Sequence, residues 1–290
     1  MNQPRSVSTH PQDWQGKLRL IFANQRGTTQ LIHNEGQAPL KVQRPFYPEG
    51  DEVCHSVIMH TAGGIVGGDR LTLDFRLEAN SKALITTPAA SKIYRTNGRE
   101  AIQSLQVDVA DGACLEWLPQ ETIVFNQALF RQTMRVNLAP TAQWIGWDIT
   151  RFGRSARQER FIEGEWRSQT EVWQNDRPVW IDRQWLPGSE TSWTSPHALA
   201  GCSVVGSFAW IGQAIDSELV EKVRSLWSGQ ISTTAQACAE IGVTRLQSGL
   251  LCRYRGNSTT EARRWFIQVW HLIRIGHLQR SICIPRVWGV

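Results

Sequence analysis

The sequence predicts a mainly β protein, built as two layers of stacked antiparallel sheet with a small C-terminal helical part of about two helices. Three observations predict it. Between Lys17 and Trp185, short alternating or apolar runs follow one another, punctuated by Gly, Pro, Asn and Asp. Nothing with a helical period separates them, which excludes the parallel α/β class, whose crossovers are helices. The chain also holds 14 tryptophans, several in strand-like context (Trp144, Trp147, Trp166, Trp173, Trp180, Trp185). Large aromatics there suit the half-buried surface of a wide sheet, although tryptophan also marks the centre of protein interfaces.

The elements follow in order. Residues 17–24 and 28–33 flank Gln25-Arg26-Gly27 as a hairpin, and Val53–His60 and Arg70–Leu77 are strands on either side of a Gly-rich segment. Residues 105–109, 114–118, 122–125 and 133–138 are further short strands, set off by Asp111-Gly112 and Pro119. Residues 165–174 and 177–186 pair across Asn175-Asp176. Helices come late, over 216–229 and 259–279. Asp216 caps the first, Leu219, Val220, Val223, Leu226 and Trp227 line one face, and Gly229 stops it. Ser258-x-x-Glu261 opens the second as a capping box, with Ala262, Trp265, Phe266, Val269, Trp270 and Ile273 as its apolar stripe.

No linker or repeat divides the 290 residues, so the expectation is one domain over 1–290 with a flexible arm at 1–16. A net charge of +5 without a run of five or six basic residues gives no nucleic-acid footprint. The first residues lack a secretory pattern, and the longest apolar-leaning run, residues 204–215, is too short to span a bilayer. A cytoplasmic protein, free of membrane, is expected. Six scattered cysteines (54, 114, 202, 238, 252, 283) contain no Cys-x-x-Cys and read as buried small hydrophobes.

The Gly-rich segment, His60-Thr61-Ala62-Gly63-Gly64-Ile65-Val66-Gly67-Gly68-Asp69-Arg70-Leu71, is no nucleotide loop. It fails the Gly-x-Gly-x-x-Gly spacing, and no Lys-Ser/Thr follows. Lying between two strands, it reads as a long structured turn whose backbone needs positive φ or very close neighbours. No Gly-x-Ser-x-Gly elbow or His-Glu-x-x-His helix exists, and Cys54 and His55, adjacent on a strand, project to opposite faces. No catalytic residue, bound cofactor or permanent metal site is therefore expected. The polar residues left for a site are Asp69, Glu116, Gln120, Glu121, Arg151, Arg154 and Glu159. Glu116 and Glu121 lie in an apolar run, where a carboxylate pairs with an arginine, lines a wet cavity or reaches the edge.

Four blocks together resemble one family. They are the Gly-rich segment, Thr86-Thr87-Pro88-Ala89-Ala90-Ser91-Lys92-Ile93-Tyr94-Arg95, Leu115-Glu116-Trp117-Leu118-Pro119-Gln120-Glu121-Thr122-Ile123-Val124-Phe125, and Pro285-Arg286-Val287-Trp288. They look like the urease accessory protein UreD, called UreH in some bacteria. Residues 44–50 and Arg151-Phe152-Gly153-Arg154 with Glu159 sit where that family has similar segments. The resemblance implies an elongated two-layer or β-helix-like fold with a small helical part. It implies a non-enzymatic scaffold that joins UreF and UreG to urease apoprotein for GTP-dependent nickel insertion, UreE supplying the nickel. It also implies nickel in transit through an internal tunnel. Scattered oxygen ligands such as Asp69, Glu116 and Glu121, with Gln120, Arg154 and Glu159 as further polar positions, suit a cation that must leave as well as enter. The competing expectation is a small-molecule enzyme using Asp69 or Glu116 as acid or base.

Overall fold

The structure is a computed structural model and describes residues 13–228 and 239–289. Gly229, Cys238 and residues 1–12 of the expected arm lie outside the described residues. The rest of that arm is pinned rather than loose. Asp13 pairs with Arg99, the Trp14 N–H donates to Asp69 at 3.1 Å, and the first strand already begins at Gln15.

The chain runs β1 (Gln15–Gln25), β2 (Thr28–Gln37), β3 (Leu40–Val42), β4 (Val53–His60), β5 (Arg70–Leu77) and β6 (Lys82–Thr86). It continues through β7 (Ser91–Ile93), β8 (Ala101–Val109), β9 (Cys114–Trp117), β10 (Thr122–Val124), β11 (Leu129–Leu138) and β12 (Gln143–Phe152). Then come β13 (Glu165–Gln174), β14 (Arg177–Pro187), a short helix α1 (Glu190–Thr194) and β15 (Val204–Ile211). Helix α2 (Ser217–Ser228), β16 (Glu240–Leu246), β17 (Gly249–Gly256) and α3 (Thr259–Gly276) follow.

Two sheets result, in the orders β14-β13-β11-β8-β5-β1-β2 and β16-β17-β15-β12-β9-β6-β4-β3. The two layers and the small helical part match the expectation; the pairing in the middle does not. β1, β5, β8, β11 and β13 pair in parallel, and so do β4, β6, β9 and β12. Successive strands alternate between the sheets, so each strand of one sheet serves as the crossover for its neighbours in the other. Parallel pairing needs a crossover but not a helical one, and that is the β-helix-like half of the expectation. The short strands β7 and β10 pair with each other and branch from the second sheet, β10 pairing the end of β12. Antiparallel pairs β1–β2, β13–β14, β15–β17 and β16–β17 close the ends.

The local elements follow from local chemistry. Asn175 and Asp176 take φ of 52° and 56°, the geometry of the two-residue hairpin turn whose twist matches the strands. The Asp216 carboxylate accepts the Leu219 N–H at 2.9 Å, and the Ser258 hydroxyl accepts the Glu261 N–H at 3.2 Å. Glu261 itself accepts the Tyr254 hydroxyl rather than closing the capping box. Helix α3 ends at Gly276, three residues short of the expected end, and α1 adds a third helix that the sequence reading lacks.

Two apolar clusters divide the core. One lies between the sheets, with Leu18, Phe75, Val107, Phe130 and Trp144 among its members. The other lies under α3, where all six stripe residues are buried against Trp147, Phe208, Trp210 and Trp288. Burying those six side chains contributes on the order of 10 kcal/mol of gross hydrophobic free energy. Trp288, from the C-terminal block, packs 5.3 Å from Trp147 and donates its indole N–H to Thr86. Eight tryptophans are buried, against two with large exposed surface, Trp14 and Trp185, so core packing explains most of them.

Candidate functional site

The Gly-rich turn fits its segment into a crowded end of the sheets. A Cβ on Gly67 would stand 2.6 Å from the Arg99 carbonyl, and one on Gly64 would stand 2.7 Å from the Lys92 carbonyl. Gly68 adds a φ of +101°, open to glycine alone at little cost. Asp69 closes the turn. It is fully buried, and its carboxylate accepts the N–H of Val66 at 2.9 Å and of Trp14 at 3.1 Å. Both oxygens are engaged in tying the turn to the start of β1.

Above this turn, between the sheets, lies a cavity of about 160 Å³. Its wall carries His60, Gln103, Gln120, Gln132, Asp148 and Ser168 among Leu71, Leu105, Met134 and Trp117. Strand alternation explains the placement: on β12 the inward set is Trp144, Gly146, Asp148, Thr150 and Phe152, while Ile145, Trp147 and Ile149 face α3. Asp148 accepts from the Gln132 amide and from the Thr150 hydroxyl (3.2 Å), and the same Gln132 amide reaches the Ser168 hydroxyl at 2.9 Å. Among the described residues, no cationic side chain lies within ion-pairing distance of it. Burial raises its pKa from 3.8 to about 6, partly opposed by the Gln132 and Thr150 hydrogen bonds. Of the sequence-predicted residues, only Gln120 lines this cavity.

Glu116 and Glu121 both leave the lumen and face α3, the break between β9 and β10 around Pro119 reconciling their opposite parity. Glu116, 1% exposed, accepts the Trp270 indole N–H at 2.5 Å and meets Arg274 Nε at 3.1 Å and Arg280 Nη2 at 3.2 Å. Glu49 joins it, accepting Arg274 Nη2 at 2.7 Å and facing His55 Nε2 at 2.6 Å. Burial works to raise the Glu49 pKa, but the His55 hydrogen bond and the Arg274 charge outweigh it and hold it below the usual range. Two buried carboxylates thus face two guanidiniums, binding α3 and the segment after it to the sheet. Burial pushes the neighbouring Cys114 thiol up to about 11. Glu121 pairs with Arg263 of α3.

Arg154 and Glu159 form a bidentate pair at 2.5 and 2.9 Å, reinforced by the Arg154 backbone N–H, and the guanidinium lies 4.6 Å over Phe125. Burial works to raise the Glu159 pKa, and the bonds from Arg154 prevail and lower it. Arg151 donates to the Asn257 carbonyl.

The sequence reading missed Asp148, Glu49, Arg274 and Arg280. Asp148 gave the same signal as Glu116, an acid inside an apolar strand-like run. Arg274 lies four residues beyond Trp270, on the continuation of the apolar stripe, where a charge signals a buried partner. Among the described residues, no three His, Cys, Asp or Glu converge to hold a metal. Cys54, Cys114, Cys202 and Cys252 are buried, Cys283 is half-buried, and none of these five forms a disulfide.

Comparison with known proteins bears on this arrangement. The model of the family described as UreD urease accessory protein matches residues 15–289. The urease accessory protein UreD of Nostoc punctiforme is 61% identical over 277 residues, covering 96% of each chain. That of Acaryochloris marina is 57% identical over 275 residues, covering 95% of each, and that of a Synechocystis strain 41% over 261 residues, covering 90% of this chain and 95% of its own. A β-helix-like two-layer fold matched along nearly its whole length by such relatives places this chain in the UreD family of urease accessory proteins.

Proposed function

We propose that this chain is a non-catalytic chaperone of urease maturation. It joins the accessory proteins UreF and UreG to urease apoprotein for GTP-dependent nickel insertion, and holds nickel only in transit from the metallochaperone UreE. Family membership supports the role in urease maturation. The observation that carries the nickel path is the polar-lined cavity with Asp148 inside it, a carboxylate without a guanidinium partner among the described residues. A divalent cation entering there finds oxygen donors that are individually weak, so it can leave again. Gln120 belongs on that path. Asp69, Glu116, Glu121, Arg154 and Glu159 hold the frame, since each acid is already engaged by backbone N–H groups or arginines and Arg154 by the Glu159 carboxylate. The same engagement argues against the enzyme reading, because neither Asp69 nor Glu116 faces the cavity. Among the described residues, no helix is long and apolar enough to cross a membrane, and the cytoplasm is the compartment we propose.

Reconstitution tests the proposal. Urease apoprotein, nickel, GTP and the partner proteins are combined with and without this chain, and nickel per urease site is counted. Loading is expected only with the chain present, and equal loading without it refutes the role. Calorimetric titration of the chain alone with GTP is expected to show no binding, since the sequence has no phosphate loop; micromolar binding would move the nucleotide chemistry onto this chain.

A further inference from the structure

The inward polar groups do not stop at the cavity. On one sheet, register aligns Gln103, Gln132, Ser168 and Gln184 across four adjacent strands. On the facing sheet it aligns Asp148, Ser207 and Arg253. Hydrogen bonds stitch the rows together, the Gln184 amide reaching the Ser207 hydroxyl at 3.2 Å and Asp182 at 2.8 Å. Arg253 donates to Ser207 at 2.6 Å. A polar seam therefore runs from the cavity to the place where the edge strand β14 meets β17.

At that outer end Arg253 grips Asp182 with two bonds, 2.9 and 2.7 Å, one to each carboxylate oxygen. The Asp182 side chain is 10% exposed and that of Arg253 37%, so the guanidinium is the last group before solvent. An apolar pair would seal the edge of a sandwich without the cost of desolvating charge. A fixed positive charge does something an apolar seal does not, because it repels a divalent cation at short range where the surroundings hold little water. Arg253 also has a long stem with its head already half in water, so the closure is reversible.

We propose that Arg253 and Asp182 form an electrostatic lock on this end of the interior. While the pair is made, a divalent cation held in the cavity does not escape between β14 and β17. The inference rests on the cation-path reading above and adds a direction to it.

The test is a chelator challenge of the assembled maturation complex. Nickel transfer to urease apoprotein is run with GTP, with and without excess EDTA in the bulk, and the fraction of nickel that survives the chelator is read. Wild type and Arg253→Lys are expected to keep a large fraction. Arg253→Ala and Arg253→Met are expected to lose it several-fold while melting as folded proteins. Should both truncations fail to fold, Arg253→Gln, which keeps an amide donor for Asp182 and Ser207 but removes the positive charge, carries the same expectation. Ser168→Leu, which fills the seam, serves as the control for the path. If Ser168→Leu blocks transfer while the Arg253→Ala, Arg253→Met and Arg253→Gln variants resist chelator like wild type, the lock is wrong and the path stands. If Ser168→Leu loads urease normally, the path reading fails and the lock with it.

Discussion

Glu116→Leu separates a structural carboxylate from a path carboxylate. The replaced side chain is 1% exposed and accepts the Trp270 indole N–H while balancing Arg274 and Arg280. With leucine there, the indole N–H loses its acceptor and one of two guanidiniums loses its paired carboxylate. Arg274 is fully buried but keeps Glu49, whereas Arg280 keeps, among the described residues, a hydrogen bond to the Cys114 sulfur at 3.7 Å and the more distant Glu49 charge. Breaking a buried ion pair from one side costs about 3–5 kcal/mol. At roughly 2 °C per kcal/mol for a chain of this size, the melting temperature falls by about 6–10 °C. Glu116→Gln, which still accepts from Trp270 but carries no charge, should lose about half of that. Combining Glu116→Leu with Arg280→Met removes both members of the pair, so part of the loss returns as a coupling of about 1 kcal/mol or more. Calorimetric melting of the five proteins (wild type, Glu116→Leu, Glu116→Gln, Arg280→Met and the double variant) measures all of this. A Glu116→Leu protein within about 1 kcal/mol of wild type, additive with Arg280→Met, refutes the reasoning, and loss of nickel loading at normal stability would return Glu116 to the path.

Asp148→Asn should be more stable than wild type above pH 6 by on the order of 2–3 kcal/mol, because the fold disfavours the ionised acid. The raised pKa of about 6 sets the sign: wild type loses stability as pH rises from the ordinary aspartate value of 3.8 through 6, and the variant does not. Melting curves that run parallel across that window would rule this out. Asp69→Ala strips the acceptor from two backbone N–H groups and should cost about 1–3 kcal/mol in chemical unfolding, a loss that unchanged unfolding midpoints would disprove. Gly67→Ala drives a methyl into the Arg99 carbonyl and should destabilise by about 2 kcal/mol or more, whereas Gly63→Ala in the same turn meets open space and should cost little. Similar melting of the two alanine variants would show that close approach is not what the turn needs.

What the sequence determined by itself was local. Alternation placed Val53–His60, Arg70–Leu77 and Glu165–Gln174 with the bounds found in the structure, and Asn175-Asp176 marked its hairpin because two residues must share one turn geometry. Ser258 began α3, and a period of 3.6 chose its buried face. These features depend on neighbours a few residues apart, so a single chain displays them. Tertiary structure decided the parallel pairing, since alternation shows that a residue faces inward but not which strand lies beside it. It also decided the fate of the acids. Glu116 meets Trp270 across 154 residues, and Glu49 meets Arg274 across 225. By contrast, Asp148, the same kind of residue in the same kind of run, turned the other way into the lumen. A buried carboxylate must be compensated, but whether by an arginine or by a wet cavity depends on which side of the sheet the helix packs, and that is fixed only when the whole chain has folded.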